Sequence, residues 1–206
     1  GLSQLAVPRV AQALEESVIG ATSGNLYPVI WIEGASCTGC TGAFAQIDAP
    51  DPASIVLEMI SLNYSETLSA AAGWSMEEAK EQTIAAGNYI LIYEGAVLNG
   101  WDGNALRIAG KTGNEHLIEA AEKANAVVAL GSCAVNGGWM AAHPNPSNAQ
   151  GVQQFLKAQG IETPVINVPG CPPNPEWLCA ILVEVLLLNK LPELNAENKP
   201  AQIFGQ

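Results

Sequence analysis

Positive charge is scarce in this sequence. Its 206 residues hold 8 Lys and Arg against 20 Asp and Glu, a formal charge of −12. A nucleic-acid footprint needs clustered Lys and Arg on one face, so that class of partner is excluded. Charge of either sign is sparse, at 14% of residues, while 49% are hydrophobic. Intrinsic disorder needs the reverse balance. The chain is therefore expected to fold as one domain with a sizeable core. A surface so poor in charge is expected to be partly buried against a partner. Long apolar runs are missing too. The longest candidate, Trp177 to Leu188, carries Glu184 and falls short of the roughly 20 residues that a membrane-spanning helix needs. Membrane association is expected only through partners. Internal repeats and low-complexity tracts are absent.

The two ends carry their own patterns. Residues 1–13 read GLSQLAVPRVAQA, small and apolar with one Arg and no acid, and close on Ala11-Gln12-Ala13 before Leu14-Glu15-Glu16-Ser17. Small-x-small followed by a change of charge is the pattern of a signal-peptidase site. Residues 1–13 are thus expected to be the tail of an export signal, with a mature start near Leu14; a short amphipathic helix is the alternative. Gln202-Ile203-Phe204-Gly205-Gln206 leaves an apolar pair at the other terminus, which suggests a cut chain.

Between the ends, apolar runs alternate with helical patterns. Tyr27–Ile32, Ser61–Tyr64, Tyr89–Tyr93, Ala126–Leu130 and Pro164–Val168 read as strands, bounded by Gly, Asn or Pro. Thr41–Ile47, Ala53–Ile60, a segment from an N-cap at Ser75 to Ala86, Asn114–Ala124, Ala149–Gln159 and Pro175–Asn189 read as helices, the last opening on a proline as first turns allow. Such alternation with continuous apolar strands predicts an α/β fold, a parallel sheet with helices on both faces.

The cysteines fall where strands end. Cys37 and Cys40 follow the first strand, Cys133 follows Ala126–Leu130, and Cys171 follows Pro164–Val168. Ligands in an open parallel sheet sit outside the carboxyl ends of the strands, so three strand ends deliver four thiols to one edge. Each thiol has glycine or proline beside it. The donor set suits an iron–sulfur cluster, zinc, two disulfides or a thioredoxin-like couple. One close pair joined by two singletons fits a cube facing several segments better than a zinc knuckle. Cys179 lies inside the last helix, with Val183 and Leu187 on its face, and reads as a core residue.

Four blocks carry a resemblance. Trp31-Ile32-Glu33-Gly34-Ala35-Ser36-Cys37-Thr38-Gly39-Cys40, Tyr93-Glu94-Gly95-Ala96-Val97, Gly131-Ser132-Cys133-Ala134 and Pro169-Gly170-Cys171-Pro172-Pro173-Asn174-Pro175 resemble, in order, the blocks of nickel–iron hydrogenase small subunits. Pro52–Tyr64 is similar to the intervening segment. The resemblance implies a flavodoxin-like domain, here residues 14–206, that holds one [4Fe-4S] cluster near a large subunit carrying the Ni-Fe site. By position, Cys37, Cys40, Cys133 and Cys171 are the ligands to its iron. No catalytic residue is implied in this chain, which would conduct electrons toward an acceptor such as a cytochrome. The resemblance also implies a periplasmic location and a twin-arginine-type signal ending in residues 1–13. It further implies a C-terminal region with a [3Fe-4S] and a second [4Fe-4S] cluster, absent from this sequence. Alternatives are a one-cluster subunit of a related quinone-reducing complex, where cysteines form adjacent pairs, and a zinc-stabilised, non-redox binding module.

Several polar residues qualify the picture. Gly39 and Gly138 stand where oxygen-tolerant relatives place two extra cysteines, which implies that the six-cysteine arrangement is absent. Ser36 and Asn63 stand where many relatives carry acids. The amides of Gly34, Gly39, Gly131 and Gly170, and the Thr38 hydroxyl, are candidate donors to cluster sulfurs. Glu94 is expected to accept bonds from loop amides, with proton relay as the alternative. Glu58 and His116 are expected on solvated helix faces, and His143 in a loop. Trp31, Trp139 and Trp177 are expected to pack the core or a subunit interface.

Overall fold

The computed structural model describes residues 26–188 and 190–205. The segment expected to end an export signal, residues 1–13, lies outside them, as does Leu14. Five strands form the central sheet: β1 (Tyr27–Glu33), β2 (Ile60–Ser65), β3 (Ile90–Glu94), β4 (Ala126–Leu130) and β5 (Val165–Val168). Their order is β2-β1-β3-β4-β5, every pair parallel, which is the flavodoxin-like order.

Both faces of the sheet are covered, and the strand sequences show why. Side chains alternate across a strand, and in β1 Val29 and Trp31 join one core while Ile30 and Ile32 join the other. The first core is closed by helices α1 (Gly39–Phe44) and α6 (Pro175–Leu188) through Phe44, Leu178, Ile181 and Leu182. The second is closed by α2 (Trp74–Ala86), α3 (Gly113–Ala121), α4 (Ser132–Asn136) and α5 (Val152–Ala158) through Met76, Leu117, Ala134 and Phe155. All five residues of β3 and of β4 are buried, and up to Glu94 at the end of β3 both strands are largely apolar on both faces, as strands inside a parallel sheet are.

Register fixes the geometry of the functional edge. Glu33 pairs with Glu94, Glu94 with Leu130, and Leu130 with Val168. Four strands therefore end in one row, and the loops that follow them start side by side.

Three helices differ from expectation. The 53–60 stretch is a short α-turn, Pro52–Ser54, running into a π-helical turn, Ile55–Met59, capped by Asp51, whose side chain accepts from the amides of Ala53 and Ser54. Helix α2 starts after Gly73, and Ser75 sits inside its first turn. Ala149–Gln150 is a strand pair with Val97–Leu98, so the helix there starts only at Val152. Helix α3 carries a reciprocal capping box between Thr112 and Glu115, which satisfies two amides that its first turn would otherwise leave open. No helix of the described residues is long and apolar enough to cross a membrane.

Candidate functional site

The row of strand ends opens into a cavity of about 240 Å³, lined by Cys37, Cys40, Cys133 and Cys171 together with Glu94 and Pro172. All four are free thiols, with Cys37 and Cys171 exposed and Cys40 and Cys133 half-buried. Burial pushes the Cys40 thiol well above its ordinary range, and Glu94 and the other three thiols push it further. Cys133 is raised for the same reason, burial first, then the charges of Cys171 and Cys37. Mutual repulsion of this kind is relieved when cations enter among the sulfurs. Cys179 is elsewhere: it is 6% exposed in the core beneath α6, and burial pushes its thiol up to about 12.

Glycines admit the sulfurs. A β-carbon on Gly131 would lie 2.5 Å from Cys40 Sγ, and one on Gly138 would lie 2.7 Å from Cys133 Sγ. Both glycines have positive φ, +88° and +57°, a region that side-chain-bearing residues avoid.

Around the first cysteine pair the polar groups are already committed. Glu94 accepts from Ser36 Oγ (2.7 Å), the Cys40 amide (3.1 Å), and the amide and hydroxyl of Thr41 (2.9 and 2.6 Å). Acceptance from loop amides is thus observed. Thr38 Oγ1 donates to Glu33 Oε2 at 2.8 Å, and the other Glu33 oxygen accepts from Thr67. The Thr38 hydroxyl is therefore not a donor into the cavity. Nor are three of the glycine amides: Gly34 donates to Glu94 O, Gly131 to Val168 O and Gly170 to Ser132 Oγ. These amides lie at strand ends, where continuing the ladder and closing the loops uses them.

The donor set fits a polynuclear iron–sulfur group. Four cysteines from three strand ends line one cavity, and a cluster can take each thiolate at its own corner. The Cys-x-x-Cys turn shows no disulfide.

His116 departs from expectation. It is 3% exposed, not solvated. Lys80 Nζ donates to its Nδ1 at 2.9 Å, and its Nε2–H donates to Ile108 O at 2.8 Å. Lys80, itself 2% exposed, also pairs with Glu77 at 2.5 Å and lies 4.5 Å over the Tyr64 ring. This network borders a second cleft, beside β2, of about 310 Å³, which contains no thiol. His143 is exposed outside the thiol cavity. Trp31 packs edge-on to Phe44 and Trp177 to Phe204, while Trp139 is 76% exposed.

Comparison with known proteins gives a consistent result. Residues 37–185 match the family described as NADH ubiquinone oxidoreductase, 20 Kd subunit. The uptake hydrogenase small subunit of Rhodobacter capsulatus is 38% identical over 208 aligned positions, covering 100% of this chain and 55% of the relative. The quinone-reactive Ni/Fe-hydrogenase small chain of Wolinella succinogenes is 40% identical over 182 positions, covering 86% of this chain and 50% of the relative. The chain thus spans about half the length of these relatives. Among solved structures, the recombinant [NiFeSe] hydrogenase from Desulfovibrio vulgaris Hildenborough superposes with a TM-score of 0.81 at 31% identity, over 87% of this chain and 70% of that one.

Proposed function

The chain belongs to the NADH ubiquinone oxidoreductase 20 Kd subunit family and, within it, to the nickel–iron hydrogenase small subunits, and on that basis we propose that it is the electron-transfer subunit of a hydrogenase. Small subunits of this family carry iron–sulfur clusters and work with a large-subunit partner. Here Cys37, Cys40, Cys133 and Cys171 hold one [4Fe-4S] cluster, with residues 14–206 as its binding domain. The large subunit carries the Ni-Fe site, a cytochrome is the acceptor, and the complex works in the periplasm.

One observation carries the reading: four thiols from three strand ends line one cavity. When bound there, a [4Fe-4S] cluster supplies a one-electron couple. The chain's own residues hold it and shape its surroundings. The four thiolates would bind its iron. Gly131 and Gly138 let backbone approach Cys40 and Cys133 where a side chain would collide. Buried Leu130, Val168 and Pro173 keep water from the inner side.

The test is direct. The full chain, purified anaerobically, is analysed for iron, sulfide and zinc and examined by electron paramagnetic resonance before and after reduction. One reducible cluster bound by these four cysteines is expected. Stoichiometric zinc without iron would overturn the reading.

A further inference from the structure

Glu94 closes β3 and is 1% exposed. Its Oε1 accepts from Ser36 Oγ and the Cys40 amide, and its Oε2 from the amide and hydroxyl of Thr41. Four bonds match the acceptor capacity of an ionised carboxylate. Ser36 Oγ itself accepts from the Thr38 amide at 2.9 Å, which leaves its own hydrogen for Glu94. None of the ion pairs among the described residues includes Glu94. A buried carboxylate is normally paired with a cation. This one is held by N–H and O–H dipoles alone, and it lines the thiol cavity.

We propose that Glu94 is a positioning residue that also acts electrostatically. It clamps the Cys37–Cys40 turn, and its charge holds down the reduction potential of the group that the four thiolates bind. The inference rests on the iron–sulfur role proposed above.

The clamp follows from local geometry. Helix α1 is only six residues long and begins after Thr38, whose φ is +62°. Its first amides have no intrahelical acceptor. Glu94, 54 residues from Cys40, supplies one from a neighbouring strand, so the turn is tied to the sheet as well as to its own helix. The electrostatic effect follows from Coulomb's law. An electron added beside a fixed negative charge is disfavoured, and more so when that charge, like Glu94, is itself buried from water.

The two roles separate by substitution. Glu94→Gln keeps the size and removes the charge, together with the two clamping bonds that its amide nitrogen cannot accept. Thr41→Val keeps the charge and removes one clamping bond. Both are made in the full chain purified with its partner subunit, and the cluster is titrated potentiometrically with paramagnetic resonance as the readout. Glu94→Gln is expected to raise the reduced-to-oxidised ratio at fixed potential at least about tenfold, roughly 59 mV for a one-electron couple. Thr41→Val is expected to leave that ratio unchanged while a chelator strips its iron faster. An unchanged ratio in Glu94→Gln, or an equal shift in Thr41→Val, would overturn the proposal. Should Glu94→Gln hold no iron, Glu94→Asp decides. Iron retained with the wild-type ratio supports a role for charge, and no iron refutes it. A wild-type chain without iron would instead refute the cluster assignment itself.

Discussion

A β-carbon placed on Gly131 would lie 2.5 Å from the sulfur of Cys40, a residue 91 positions earlier in the chain. No other atom of the Gly131 surroundings comes as near; the next, Gly170 O, is 3.6 Å away. Gly131→Ala is therefore expected to displace the sulfur before it disturbs the fold, and to cut bound iron by more than about half. A β-carbon on Gly138 would meet Cys133 Sγ at 2.7 Å and also Cys133 Cα at 3.0 Å, so Gly138→Ala is expected to shift the Cys133 backbone along with its sulfur. Gly160→Ala is the control. Its φ is also positive, +73°, but nothing lies within 4 Å of the added carbon, so it costs about 1 kcal/mol of backbone strain and leaves iron content unchanged. Iron per chain and the thermal midpoint, measured together, separate the two effects.

Replacing any one of Cys37, Cys40, Cys133 or Cys171 by Ser is expected to abolish the cluster's paramagnetic signal. Cys179→Ser is expected to keep it. That change places a hydroxyl in an apolar core and costs about 1–3 kcal/mol in stability. The decisive pair is Cys171→Ser against Cys179→Ser, two cysteines eight positions apart. Equal iron loss in both would contradict the assignment.

Much of this site is legible in the sequence because it depends on local features. Each cysteine follows an apolar run by a few residues, and parallel strands must end on a common edge. What the sequence hides is pairing at a distance. His116 sits on a helix beside Glu115, and nothing local marks it as buried. Its partner Lys80 is 36 residues away on α2, and the Lys80 side chain is buried because Glu77, Tyr64 and His116 together replace its water. The glycine amides are equally opaque. Their positions beside the cysteines suggest donors free for sulfur, but the ladder and the loop closures consume those of Gly34, Gly131 and Gly170. The 53–60 stretch has helical apolar spacing, yet it winds as a π-turn, a departure that spacing alone does not reveal.

Lys80→Ala is expected to destabilise the fold by about 3 kcal/mol, since it leaves a mostly buried Glu77 carboxylate without its cation. His116 also loses the donor to Nδ1. Denaturant titration measures the change, and bound iron should be unaffected because the network lies outside the thiol cavity. A loss under about 1 kcal/mol would show that the pair contributes only as an exposed ion pair does.

Acid should weaken α3 through its cap. The Thr112 amide, then the Thr112 hydroxyl, holds the Glu115 carboxyl below its ordinary value of 4.5. A depressed folded value stabilises the protein above the unfolded one, and that contribution is lost as pH falls through the folded value. Wild type should therefore lose more thermal stability than Glu115→Gln between pH 6 and the acid limit of folding. Thr112→Ala is expected to cost about 1 kcal/mol at neutral pH. Parallel melting curves of Glu115→Gln and wild type across that range would refute the cap's part in acid sensitivity.

The four thiols are unevenly sheltered. Cys40 and Cys133 lean against protein, whereas Cys37 and Cys171 stand in the open. This chain by itself insulates its sulfurs on one side only. On the subunit reading proposed above, a partner seated over Cys37 and Cys171 would complete the sheath, and the arrival of dissolved oxidants would be set by both polypeptides together.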